Sequence, residues 1–170
     1  MNIWFKLQVN KHQNGLYAMC LQMLKNSQEA EDVVQDSFIK LWHSKQSGEK
    51  QPKSWLYKVA RNHCLDILRR RKHEASYQQS QLLSANFAKS ALDDLSNTEL
   101  GQQIGDAINE LKEPYKSLIV LREVSHLNYK QLSEVLGLNV PQIKVYLHRA
   151  RSTLKKKLMK AHNQSENYEA

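Results

Sequence analysis

The chain is poor in the residues that bend, staple or anchor a fold. Its 170 residues include 5 Gly, 3 Pro and 2 Cys. So few turn formers favour helices over turn-rich β structure. The two cysteines, Cys20 and Cys64, have no C-x-x-C spacing, which argues against a disulfide framework or a zinc site. Both fall in apolar helical patterns and are expected as buried thiols. No apolar run approaches the ~18 residues of a membrane span. The start, MNIWFKLQVN, lacks the charged head and apolar stretch of a secretion signal. A cytoplasmic protein without membrane insertion is expected. Acid is scarce as well: 17 Asp and Glu face 25 Lys and Arg, a net charge of +8. A basic chain of this size meets nucleic acid more often than an anionic membrane surface.

What is present is helical periodicity. Hydrophobic residues make up 41% of the chain, enough for a packed core. Helical patterns cover most of 13–73 and 104–160, and no strand-like alternation persists. Between them, EASYQQSQLLSANFAKSALDDLSNTEL is rich in Ser, Gln, Asn and Ala, a linker composition. The expectation is an all-α chain of two small helical domains, 1–73 and 104–162. A flexible linker, 74–103, joins them, and a fraying tail, 163–170, follows.

In the first domain a helix is expected around Gly15–Lys25. A second starts near Asn26, which can cap it, with Glu29 three residues on. Glu29, Glu31 and Asp32 sit at its start, where the helix dipole favours negative charge. Ala30, Val34, Phe38 and Leu41 form its apolar stripe, and Asp32, Asp36 and Lys40 the opposite side. That acidic side is either a solvated face or a docking face for a basic partner. Gly48 and Pro52 break the pattern over 43–54, a loop. A third helix, Trp55–Lys72, turns Leu56, Ala60, Cys64 and Ile67 to one face. Trp55, Lys58, Asn62, Asp66 and Arg69 fall on the other, flanked by Arg61 and Lys72. Aromatic rings stack on unpaired bases while Lys and Arg follow phosphates. The alternative folds Trp55 into the core.

The second domain carries a helix–turn–helix signal. Residues 111–124 supply a supporting helix. Asn128 caps Tyr129–Leu136, Gly137 stops it, and Asn139 caps a longer basic helix with Pro141 in its first turn. Ser133 is small where the two helices cross. With Ile143, Leu147, Leu154 and Leu158 inward, Gln142, Val145, His148, Arg149 and Ser152 face outward, and Lys144 and Arg151 flank them. The first turns of such a helix meet base edges and later cations meet phosphates, so the expected anion is duplex DNA. The run Lys155–Lys157 is equally read as a solvated helix end.

Two blocks, EAEDVVQDSFIKLW with WLYKVARNHCLDILRRRK, and LNYKQLSEVLGLNVPQIKVYLHRARSTLKKKL, resemble regions 2 and 4 of bacterial RNA polymerase sigma factors of the extracytoplasmic-function group. The resemblance implies that Asp32, Val33, Gln35, Asp36, Phe38 and Trp42 dock on the β′ clamp of core polymerase. It implies that Trp55, Lys58, Arg61, Asn62, Asp66, Arg69 and Arg70 meet the minus-10 element, with a flipped base held by the 43–54 loop. Gln142, Lys144, Val145, His148, Arg149 and Arg151 then serve the minus-35 element. The implied partners are core polymerase through β′ and β, promoter DNA and an anti-sigma factor. No small-molecule substrate, cofactor, metal or catalytic residue is called for, and the chain reads as no enzyme. His63 is expected packed on the apolar side of its helix. The chain departs from the family pattern at Leu111-Lys112, where Leu-Pro is usual, and at Pro141-Gln142, where Gly-Thr is usual. An ordinary helix–turn–helix regulator would leave Trp55–Lys72 without a task. An RNA-processing enzyme or RNA-binding protein would need acid–base residues, a metal set or an RNA-binding signature that the chain does not display.

Overall fold

Lys25 and Asn26 turn the chain between its first two helices. The structure, a computed structural model, describes residues 3–44, 52–78 and 98–166. Helix α1 spans Ile3–Leu24, and Lys25 then adopts a left-handed backbone, φ 53°. The Asn26 side chain accepts the Glu29 N–H at 3.0 Å, which satisfies an amide that helix α2, Ser27–Ser44, leaves free in its first turn. Only Glu29 lies in that turn; Glu31 and Asp32 come later. Helix α3 spans Pro52–Gln78. The expected start of the first helix near Gly15 was too late, and α3 outlasts the boundary at 73. Of the loop expected over 43–54, residues 43–44 belong to α2 and 52–54 to α3, and 45–51 lie outside the described residues.

These three helices pack on one another as a unit. Leu16, Met19 and Cys20 of α1, Ala30, Val33 and Leu41 of α2, and Leu56, Ala60 and Cys64 of α3 are fully buried. The two thiols stay free, and the Cys20 thiol is pushed up by its hydrogen bond to Cys64 and then by burial. One end of the unit is tied by Arg71. Its guanidinium donates to the Leu24 carbonyl at 2.9 Å, an end carbonyl of α1, and pairs with Glu29 at the start of α2. At Gly15, α1 approaches α3 so closely that an added Cβ would lie 2.5 Å from the Tyr57 hydroxyl.

The second unit begins with α4, Glu99–Asn109, whose cap is Thr98: its Oγ1 accepts the Gly101 N–H at 3.1 Å. Helix α4 therefore starts inside the segment expected as linker; residues 79–97 lie outside the described residues. The supporting helix is not one α-helix. After a turn at Pro114 it runs as α5, Tyr115–Ile119, and then as a wider π-helical turn, Val120–Val124. Helices α6, Tyr129–Leu136, and α7, Val140–Glu166, follow. Helix α7 extends into the expected tail, to Glu166. Leu118, Leu132, Ile143, Leu147 and Ala150 close the core. Each buried Leu or Ile stabilises the unit by roughly 1.5–3 kcal/mol. Among the described residues there is no strand, and no helix is long and apolar enough to cross a membrane.

Candidate nucleic-acid and protein-docking faces

The α6–α7 pair is capped twice by the same device. The Asn128 side chain accepts the Gln131 N–H at 2.9 Å, and the Gln131 side chain accepts the Asn128 N–H at 3.0 Å. One helix later, Asn139 accepts the Gln142 N–H at 2.8 Å, and Gln142 Oε1 accepts the Asn139 N–H at 2.9 Å. Between them Gly137 takes φ 68°, a conformation that costs glycine nothing. Ser133 Oγ donates to the Leu138 carbonyl at 2.5 Å and locks the turn. The pattern Asn-x-x-Gln occurs at both starts and was legible in the sequence. Its consequence was missed: Gln142 also serves the cap, and one lone pair of its carbonyl is taken by the Asn139 N–H.

Beyond the cap, α7 exposes Lys144, Val145, His148, Arg149, Arg151 and Ser152, while Ile143 and Leu147 are buried. Val145 is 47% exposed, an apolar side chain suited to a thymine methyl in the major groove. Arg149 projects freely enough to reach a base edge or a phosphate. Arg151 does not stand free: its Nη2 meets Glu123 at 2.6 Å and its Nε the same oxygen at 3.1 Å, turning it toward the π-helical turn. Lys157, in the basic run, pairs with Glu110 at 2.6 Å, which holds that carboxyl below its usual range. Arg151 and Lys155 instead border a mostly apolar cavity of about 400 Å³ with Ile119, Leu154, Leu158 and Met159.

On α2, Asp32, Gln35, Asp36 and Trp42 are exposed, as a docking face requires. Val33 and Phe38 are not: Val33 is fully buried and Phe38 is 6% exposed, its ring edge-on to Phe5 at 6.3 Å. Neither can touch a partner. Helix α2 packs against both α1 and α3, so its buried arc takes in Val33 and Ser37, and Val34, expected inward, is only half-buried. Trp42 leans on Phe5 at 5.1 Å. Ile39, 55% exposed, continues the same ridge and was not anticipated.

On α3, Lys58, Asn62, Asp66, Arg69 and Arg70 are exposed, and Trp55 and Arg61 are half-buried. Asp66 and Arg69 pair with each other at 2.9 Å in the open, a contact worth little in water. Arg70 turns instead toward a cavity of about 410 Å³ between α2 and α3, shared with Asp32, Asp36, His63 and Arg71. His63, expected packed on the apolar side of its helix, is half-buried at the edge of this groove with Nδ1 3.8 Å from Asp36. One helix thus borders the acidic ridge on one side and exposes Lys58, Asn62, Asp66 and Arg69, with the half-buried Trp55, on another. No group of three or more His, Cys, Asp or Glu among the described residues is placed to hold a metal ion.

Residues 8–74 match the family described as Sigma-70 region 2, and residues 101–154 that described as Sigma-70, region 4. The chain is 30% identical over 161 residues to the ECF RNA polymerase sigma factor SigW of Bacillus subtilis (strain 168), covering 88% of this chain and 86% of SigW. It is 28% identical over 145 residues to SigM of the same organism, 85% of this chain and 88% of SigM. Among solved structures, the sigma factor RpoE from Bartonella quintana, crystallised with the anti-sigma factor NepR, shares 26% identity and a TM-score of 0.70. That match covers 91% of this chain and 96% of RpoE.

Proposed function

This chain belongs to the extracytoplasmic-function group of RNA polymerase sigma factors, and from that premise we propose how its exposed faces divide the work of starting transcription. As a sigma factor it binds core polymerase, directs it to specific promoters and helps open them. The proposed division assigns core binding to the α2 ridge of Asp32, Gln35, Asp36, Ile39 and Trp42. The minus-10 element goes to Trp55, Lys58, Arg61, Asn62, Asp66, Arg69 and Arg70. The minus-35 element goes to α7, with Val145, His148 and Arg149 facing the groove. In this reading residues 1–78 form region 2 and residues 98–166 form region 4.

The observation that carries the proposal is the position of α3. It shares a groove with the acidic ridge of α2 while its far side carries an aromatic ring, an amide and cations in one row. Promoter opening costs roughly 1.4 kcal/mol for each base step unstacked. Capture of an extruded base on an aromatic ring returns roughly 1–3 kcal/mol. A face that captures bases beside a face that holds polymerase links the two energies. The chain supplies no covalent chemistry in this scheme and acts in the cytoplasm, where its DNA lies. RpoE was crystallised with an anti-sigma factor. On that likeness this chain too is held by an anti-sigma partner until released.

Run-off transcription with core polymerase tests the proposal. The wild-type chain directs initiation from a promoter that core alone ignores. Asp36→Arg lowers affinity for core by tenfold or more and leaves the fold intact, because Asp36 is exposed. Unchanged affinity would mean that the acidic ridge is only a solvated face.

A further inference from the structure

In the groove between α2 and α3 one shielded nitrogen has no partner. His63 Nδ1 is closed off from solvent and makes no hydrogen bond among the described residues. Such an atom is costly to leave unsatisfied. The Asp36 Oδ2 stands 3.8 Å away, on a side chain that is 53% exposed. That distance is too long for a hydrogen bond and within the range of an ion pair. The other charges around the pair are fixed. On α2, Asp32 lies about one turn before Asp36 and Lys40 about one turn after it. Glu29, further back, is taken by Arg71. On α3, Arg70, Arg71 and Glu74 line the same groove, and α1 contributes none of its lining residues. Arg, Lys and ordinary carboxylates keep their charges between pH 5.5 and 8, whereas imidazole changes its own there. His63 is thus the lining side chain of a type that titrates in this range.

We propose that His63 is a positioning residue for core docking: in its charged form it draws Asp36 into the groove, withholds that carboxylate from polymerase and makes core binding weaker as pH falls. The proposal rests on the α2 ridge being the core-binding face. With the imidazole neutral, the Asp36 carboxylate stays exposed and open to a basic partner. With the imidazole charged, the carboxylate meets a cation whose shielded N–H lacks an acceptor. Closing the gap by ~1 Å makes a charge-assisted hydrogen bond. A basic partner must then displace the imidazolium or share the carboxylate with it, and either weakens docking. By reciprocity, core binding expels the proton from His63. The free chain therefore holds more protons than the complex, so affinity falls as pH falls. The helical wheel of α3 alone placed His63 on the apolar side, because Asp36 reaches it from another helix.

The test measures the affinity of the full-length chain for core polymerase from pH 8 to pH 5.5, in wild type, His63→Gln, Asp36→Asn and the double variant. One preparation of core serves all four, so titration of the polymerase is common to them. The range stops above the value of about 4 at which burial holds His12. On acidification wild type should lose roughly threefold more affinity than His63→Gln, the size of one partly exposed ion pair. Asp36→Asn and the double variant should share one profile, because His63 has nothing to withhold once the carboxylate is gone. Parallel profiles for wild type and His63→Gln overturn the proposal, as does a wild type that loses less than His63→Gln. Where His63→Gln melts early, Asp36→Asn decides: it should lose roughly threefold less affinity on acidification than wild type, and an equal loss overturns the proposal. Asp36→Asn that binds core as tightly as wild type at pH 8 overturns the core-binding role of the ridge, and this proposal with it. Asp36→Asn that binds weakly at pH 8, beside parallel profiles for wild type and His63→Gln, overturns the role of His63 alone.

Discussion

Single residues carry more of the first unit's stability than their chemistry suggests. Gly15 lets α1 lie against the buried Tyr57, and a methyl there would meet the phenol oxygen at 2.5 Å. Alanine in a helix is worth about 1 kcal/mol over glycine. Overpacking a closed core costs about 1–3 kcal/mol. Gly15→Ala is therefore expected to destabilise by roughly 1 kcal/mol on balance, read as an earlier urea midpoint; a later midpoint would contradict the close approach. His12 is 5% exposed, and burial, followed by Lys11 and Lys53, holds it at about 4 against an ordinary 6.5. Between those values the unfolded chain binds more protons than the folded one, so stability falls as pH falls. The loss should approach roughly 3 kcal/mol below the window, at about 1.4 kcal/mol per unit. Urea midpoints above and below it should differ far more for wild type than for His12→Gln. Equal differences would place the acid sensitivity elsewhere.

At the level of helices, the start of α7 combines two tasks that compete for one side chain. Gln142 closes the reciprocal cap with Asn139, so its removal acts on the fold before it acts on DNA. Gln142→Ala should cost about 1 kcal/mol of stability. Gln142→Glu keeps the accepting oxygen and should melt with wild type. Neither should change the preferred minus-35 sequence. A fully stable Gln142→Glu whose preference shifts at one base pair would return Gln142 to base reading. The expectation that Gln142 reads bases came from counting outward positions. Counting could not weigh a local hydrogen bond against a distant one, although the Asn-x-x-Gln spacing was there to be seen. The same limit explains Val33 and Val34. Adjacent valines lie about 100° apart on a helix. Which one is buried depends on α2 being flanked by both α1 and α3.

Over the whole molecule, the features legible in the sequence are those set by neighbours a few residues away. The caps at Asn26, Asn128 and Asn139, the stop at Gly137 and the outward positions of α7 are of this kind. Less legible were features made by distant pairs. Arg71 joins Leu24 and Glu29 across more than forty residues of chain. Arg151 is drawn off the outward row of α7 by Glu123, and the π-helical turn brings Arg122 to Tyr129. The early start of α1 was missed because Ile3 and Leu7 are exposed and Trp4, Phe5 and Val9 are only half-buried, which blurs the apolar stripe. These distant contacts decide which charges remain available to partners, and so which faces do the work.

The central claim is that α3 captures unstacked bases while its neighbour holds polymerase. Permanganate reactivity of thymines in the minus-10 region tests it most directly, with holoenzyme carrying wild type, Trp55→Ala or Asn62→Ala. The account predicts that both variants still bind core and form closed complexes, but expose reactive thymines roughly 5-fold less or worse, the equivalent of one lost stacking contact. Wild-type reactivity in both variants would contradict it, because the row on α3 would then take no part in opening the promoter.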